Sequence, residues 1–240
     1  MKLPIILNQP FTKIFEIYLI AKPMDTKISY ENTDLEQTNT IHEKTSQIQF
    51  FENTEQKYTL HLTDQADFVY ALFLKNAKIQ LSIITKQPQV KAKIFAFLPA
   101  TEKSTSSLHI ETLFQSSESS VTMHLIAIQG EDAKVHMQGK IDINTGIEKV
   151  SGHLLEEVIL LGNTKYTSLQ PILNVASPDV QASHGAKIHK ISPEKLFYMQ
   201  SKGLSSQLAT NMIIQGYVQH ILGHFTLDSQ QQQNIYSFIS

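Results

Sequence analysis

Ten histidines in a chain of 240 residues that has no cysteine raise the first chemical question. Neutral imidazole is the commonest metal-binding side chain and titrates near neutral pH, so its placement matters. His109, His124 and His136 fall in the polar phase of alternating segments. Strands stacked in register would make them an outward ladder, while isolated solvent-facing histidines are the plainer reading. His220 and His224 stand four apart in a helical segment with no acid to complete a metal site, and read as helix surface. Ser183-His184-Gly185 sets a hydroxyl beside an imidazole, but sequence neighbours do not form a nucleophile–base pair. A Gly-x-Ser-x-Gly elbow and a Gly-x-x-x-x-Gly-Lys loop are both absent. Glu156-Glu157, beside Val158-Ile159-Leu160-Leu161, reads as a loop at a strand edge. These residues define no enzyme class.

Composition narrows the field further. All twenty basic residues are lysines, so bidentate arginine clamps and an arginine finger are excluded. Without cysteine the chain forms no disulfide, no thiol nucleophile and no thiolate-held zinc or iron–sulfur site of its own. A formal charge of −2 speaks against nucleic acid as a partner. The longest apolar run, Phe68 to Leu74, falls far short of the ~20 residues that span a bilayer, and the N-terminus lacks a signal-peptide pattern. A soluble, cytoplasmic protein without membrane contact is expected.

The elements that must position these side chains come in three zones. Residues 1–56 form an N-terminal segment of uncertain structure, whose polar part, 31–57, reads as a long surface loop or edge element. From Lys57 the pattern has period two: Tyr58-x-Leu60-x-Leu62, Ile79-x-Leu81-x-Ile83, Leu108-x-Ile110-x-Thr112-x-Phe114, Val121-x-Met123-x-Leu125 and Val135-x-Met137-x-Gly139-x-Ile141. Turn chemistry separates the runs, which recur at roughly 12–15 residues, a spacing that suits a sandwich, a barrel or a β-helix. Hairpin signals such as Asn-Gly pairs are missing, which favours stacked parallel strands over 57–191. Ser192-Pro193-Glu194 then opens a helix that stops at Gly203. A second helix, from about Ser205 to Phe225, is apolar on more than one face and so packs on two sides. Gly216 in its middle suggests a close backbone approach. Residues 229–240, with the run Gln230-Gln231-Gln232-Gln233, read as a tail.

The stretch from Leu173 through Ser183-His184-Gly185-Ala186 to Ile188, followed by Ile191-Ser192-Pro193-Glu194-Lys195-Leu196-Phe197-Tyr198 and Ser201-Lys202-Gly203-Leu204, resembles the C-terminal core of the SufB/SufD family. These are scaffold proteins of the SUF iron–sulfur cluster assembly system. The specific likeness covers roughly residues 171–222, with looser strand spacing back to about residue 90, and does not reach residues 1–60. Ser-His-Gly-Ala is similar to the SufD side, where SufB-like chains have Glu-His-Glu-Ala.

The resemblance implies a mainly β protein: a right-handed parallel β-helix followed by a small helical module at 192–228 that docks the ATPase. It implies a SufB-like partner, or a second copy, and a SufC-like ABC ATPase. The docking set would include Phe197, Tyr198, Leu204, Ile213, Gly216 and Tyr217. His184 falls at the family's functional histidine, read as a turn ending the last strand, as a ligand of iron or a nascent cluster at the subunit interface. Ala182 stands where the family often has cysteine, so other ligands come from a partner, and no cofactor is held stably by this chain alone. A scaffold, not an enzyme, is expected. The alternatives are a scaffold without cluster chemistry and a β-helical carbohydrate-active enzyme, which would need a groove of acids and basic residues.

Overall fold

The computed structural model describes residues 26–30, 37–41, 45–63, 66–101, 103–164 and 166–239. Strands come in the order β1 (Thr26–Tyr30), β2 (Gln37–Ile41), β3 (Thr45–Glu52), β4 (Glu55–Leu62), β5 (Asp67–Lys75), β6 (Lys78–Thr85) and β7 (Lys91–Ala100). They continue with β8 (Thr105–Phe114), β9 (Ser120–Gln129), β10 (Lys134–Ile143), β11 (Val150–Leu160), β12 (Thr167–Leu169), β13 (Ile172–Val175) and β14 (Val180–Lys190). Three helices follow, α1 (Pro193–Ser201), α2 (Ser206–Leu222) and α3 (Ser229–Ile239).

From β1 to β10 each strand passes over its sequence neighbour and pairs in parallel with the next but one. One sheet runs β1-β3-β5-β7-β9-β11-β14 and the other β12-β10-β8-β6-β4-β2, with β13 continuing alongside β10. Side chains bridge between coils at separations of 29 to 31 residues. The interval read from the sequence is thus half a coil, one strand in each sheet. This is the stacked parallel β-helix architecture expected, and strands already occupy part of the 31–57 stretch. Ile48, Phe50 and Phe51 of β3 are core residues, so residues 45–52 of that stretch are neither a surface loop nor an edge element.

The inner faces of the two sheets meet in one long core that includes Leu72, Ile94 and Leu125 opposite Leu81, Ile110 and Met137. Each such side chain contributes roughly 1.5–3 kcal/mol when fully buried. The sheet of even-numbered strands keeps a half-exposed outer face, so β8 and β10 alternate strictly. The other sheet is covered outside by α2 and α3, which makes β5 buried on both faces and explains the unbroken run Phe68–Leu74. Corner residues Asn53, Asn76, Gln89, Glu118 and Lys149 take positive φ and bond from coil to coil, as Asn76 does to Asn53 at 2.8 Å.

The helices begin where the sequence signals them. The Ser192 hydroxyl accepts from Lys195 N–H, Pro193 opens α1, and Gly203 leaves it at φ 91°. The Ser205 hydroxyl caps α2 through Leu208 N–H. Val218, Ile221 and Leu222 of α2 face the sheet, while Leu208 and Met212 stay exposed, so its second apolar side is free. A Cβ at Gly216 would meet nothing within 4 Å, so no backbone among the described residues approaches there. The residues read as a tail form α3. Its Ile235 and Ile239 are buried and Phe238 packs edge-on against Phe50 at 4.9 Å, because these apolar positions follow the glutamine run at helical spacing.

Gly139 is a space requirement of the last coils. A Cβ there would lie 2.5 Å from Leu154 Cδ1 and 3.1 Å from Glu156 Oε1. Gly139→Val should therefore lower stability by ~1–3 kcal/mol, as overpacking does. Chemical denaturation is the check, and an unchanged midpoint would show that Leu154 yields freely.

Candidate functional site

The coil ends at β14, which pairs with β11 from Val150↔Val180 to Leu160↔Lys190 and has no strand on its other edge among the described residues. His184 stands opposite Leu154, a core residue, and Ala182 packs against that core. Alternation along the strand therefore places Ala182, His184 and Ala186 on the lumen side of the terminal coil. His184 is exposed, and its ring makes no hydrogen bond to the described residues. Ser183-His184-Gly185 is thus not a turn but the middle of a strand. The turn propensity of Ser and Gly is overridden by eleven residues of parallel pairing. Outside, Gly185 leaves an open groove of about 350 Å³ bordered by His124, His153, Leu155, Ser183 and His184. His153 bridges it, contacting the Ser183 hydroxyl at 2.7 Å and the Ser151 hydroxyl at 3.0 Å.

Glu156 and Glu157 lie inside β11, not in a loop, and alternation sends them to opposite faces. Glu157, on the outer side, is a buried hub. Its Oε1 accepts from Lys187 Nζ and His189 Nε2, both at 2.8 Å, and its Oε2 lies 3.3 Å from His124 Nε2. Burial pushes the Glu157 carboxyl up, but the bonds from Lys187 and His189, Lys187's charge and the His124 bond together hold it below the usual range. Burial, aided by the charges of His220 and Lys187, lowers the His124 imidazole against the pull of Glu157. Above it His224 stacks on Phe95 at 4.8 Å and His220 lies 6.2 Å from the His124 ring, so these two histidines edge the contact of α2 with the sheet. No outward histidine ladder exists. His124 is in one sheet, and His109 and His136 are in the other, out of register with each other, because successive strands alternate between sheets. Among the described residues no group of three His, Asp or Glu is disposed to hold a metal ion.

Glu156 points into the lumen and is fully buried. The break between β12 and β13, at Gln170-Pro171, leaves Gly139 N–H of β10 without a strand partner. Neighbouring groups show the direction of that N–H. Val135 N–H donates to Tyr166 O, and Met137 O accepts from Gln170 N–H, so the odd-numbered residues of β10 face the following coil. Glu156 Oε1 fills the gap, accepting from Gly139 N–H at 2.5 Å, with the Gln170 N–H that donates to Met137 O close by. Its Oε2 has no partner. Burial, opposed by the backbone N–H groups of Gly139 and Gln170, raises the carboxyl to about 7. Sequence reasoning missed both acids, since a Glu-Glu pair beside an apolar run does not reveal which face each will take.

The helix residues separate into two groups. Phe197 and Tyr198 of α1 are 73% and 64% exposed, and Leu208 and Met212 of α2 are exposed as well. Leu204 and Ile213 are half-buried and Gly216 is exposed. Tyr217 instead packs against the core beneath α2, where burial and then the charge of Glu157 raise its hydroxyl. No helix among the described residues is long and apolar enough to cross a membrane.

Comparison with known proteins adds an independent finding. Residues 72–217 match the family described as SUF system FeS cluster assembly, SufBD core domain. The chain is 26% identical over 106 residues to the iron–sulfur cluster assembly protein SufD of Escherichia coli, covering 44% of this chain and 25% of that protein. It is 34% identical over 92 residues to an iron–sulfur cluster assembly SufBD family protein of Pyrococcus horikoshii, covering 38% and 20%. It is 24% identical over 108 residues to SufB of Bacillus subtilis, covering 45% and 23%. The chain therefore spans about a quarter or less of the length of these relatives.

The Glu156 carboxyl yields a pH dependence of definite sign. Its folded value of about 7 exceeds the ordinary 4.5, so the folded protein retains a proton that the unfolded chain releases. The stability it contributes is whole below 4.5 and lost as pH rises to about 7, a fall of ~3 kcal/mol at most. In Glu156→Gln this alkaline decline should vanish, leaving the variant at least as stable as the parent at pH 8. Urea midpoints across pH 5–8 check it, and a parallel decline in both proteins would refute the assignment.

Proposed function

Since the chain belongs to the SufBD family of the SUF iron–sulfur cluster assembly system, we propose that it is a SufD-like scaffold subunit. In this reading it pairs with a SufB-like subunit, or with a second copy of itself, and docks a SufC-like ABC ATPase in the cytoplasm. The observation that carries the reading is β14, a terminal strand with one edge unpaired among the described residues, which bears His184 exposed and without a hydrogen-bond partner among them. An open strand edge is an association surface. An imidazole left free on it is available to iron or a nascent cluster, which the complex handles as cargo. Ala182 offers no thiolate, so the sulfur ligands of such a cluster come from the partner. The SufD rather than SufB assignment rests on Ser183-His184-Gly185-Ala186, since its relatives of both kinds are of similar identity.

The ATPase contact in this proposal is the patch of Phe197, Tyr198, Leu208 and Met212, with Leu204, Ile213 and Gly216 at its rim. Tyr217 serves the fold rather than the contact, because it packs on the sheet. The role in this proposal is that of a scaffold and not of an enzyme.

Two expected outcomes test the proposal. Phe197→Asp or Met212→Asp should leave the melting temperature unchanged and weaken co-purification with the ATPase at least tenfold, the desolvation of a charge in a dry contact costing several kcal/mol. Undiminished binding by both would remove the patch from the interface. His184→Ala should melt as the parent does and bind its partners, yet form little cluster on the reconstituted complex. A normal cluster yield would exclude His184 as a ligand.

A further inference from the structure

We propose that Glu156 is the second donor of the His184 site, and that the two together hold a divalent transition-metal ion at the open end of the coil. The inference rests on the reading of His184 above and adds a residue to it. Three observations carry it. First, register: Glu156 pairs with Ala186, and His184 lies two residues back on the same lumen-side face, which makes carboxyl and imidazole diagonal neighbours. Such neighbours have backbones roughly 7–8 Å apart, within reach of two long side chains meeting at one ion.

Second, level: Gly139 N–H faces the following coil, so the carboxyl that accepts from it lies in the layer of β13 and β14, the layer of His184 itself. The side chains flanking His184 on this face, Ala182 and Ala186, are small. Third, an orphan: Glu156 Oε2 is buried without a partner although Oε1 is bound to the backbone. A buried carboxyl oxygen that no donor satisfies is costly unless something pairs with it. Nitrogen and oxygen donors suit a divalent ion of the iron(II) type, and two protein donors leave positions for water or a partner's ligands. The cradle itself depends on Gly139, where any side chain would displace Leu154 and crowd Glu156 Oε1.

The test titrates Co²⁺, a coloured stand-in for iron(II), into the full chain and its variants, reading the visible ligand-field bands and calorimetric affinity. The parent should bind one ion per chain. Glu156→Gln, whose amide oxygen still accepts from Gly139 N–H, should weaken binding at least tenfold without lowering the melting temperature. His184→Ala should do the same, and the double variant should lose no more than about twofold beyond the weaker single, since both remove ligands of one ion. Ala186→Leu, an exposed substitution that covers the gap while leaving both donors, should also abolish binding, and it decides the matter if Glu156→Gln does not fold.

A parent that binds no Co²⁺ overturns the proposal. Parent-like affinity in Glu156→Gln beside weak binding in His184→Ala also overturns it, reducing Glu156 to a structural plug while His184 stands. Parent-like affinity in His184→Ala removes His184 as a ligand and overturns the proposal together with the reading beneath it.

Discussion

Parallel pairing of each strand with the one a full coil away is the interaction on which the rest of this structure depends. It satisfies most of the backbone of the interior strands from both sides and stacks side chains of successive coils above one another. A stack of this kind cannot satisfy its own ends. At β14 one row of backbone groups is left without a strand among the described residues, and lumen-phase side chains such as His184 and Ile188 become exposed. The end of the coil is therefore where a partner or a ligand has something to complete.

The two faces of the odd-strand sheet show how position governs chemistry. Glu156 and Glu157 are adjacent, and both are buried. Glu157 meets Lys187, His189 and His124 on the outer face and is held ionised. Glu156 meets only backbone N–H groups in the lumen and is pushed toward the neutral acid. Burial acts on both in the same direction, and the presence of a cation within hydrogen-bond reach decides the outcome. The outer hub also ties β14 to the sheet through Lys187 and His189, so the strand with His184 is anchored on one face and open at its edge.

Much of this was legible in the chain itself. Strict alternation in Leu108–Phe114 and Val135–Ile143 marks strands with one wet face, and those are the strands whose outer face stays half-exposed. Ser192-Pro193-Glu194 and Gly203 bound a helix because capping and glycine's left-handed backbone are local effects. The motif around His184 was legible as a family likeness. Its local structure was not, since serine and glycine favour turns until a neighbouring strand supplies eleven residues of pairing.

Local physics is what the sequence by itself determined: periodicity, caps, the absence of thiols and arginine, and therefore strands, helices and a chain with no thiolate ligand of its own. Only the tertiary structure decided which strands became neighbours, and so that His124 would be parted from His109 and His136. It alone made the Phe68–Leu74 run an interior strand beneath helices, turned the expected tail into α3, and sent Glu156 inward and Glu157 outward. Burial of a strand's outer face depends on helices distant in the chain, and register depends on the whole coil. Neither is written in the few residues around any one position.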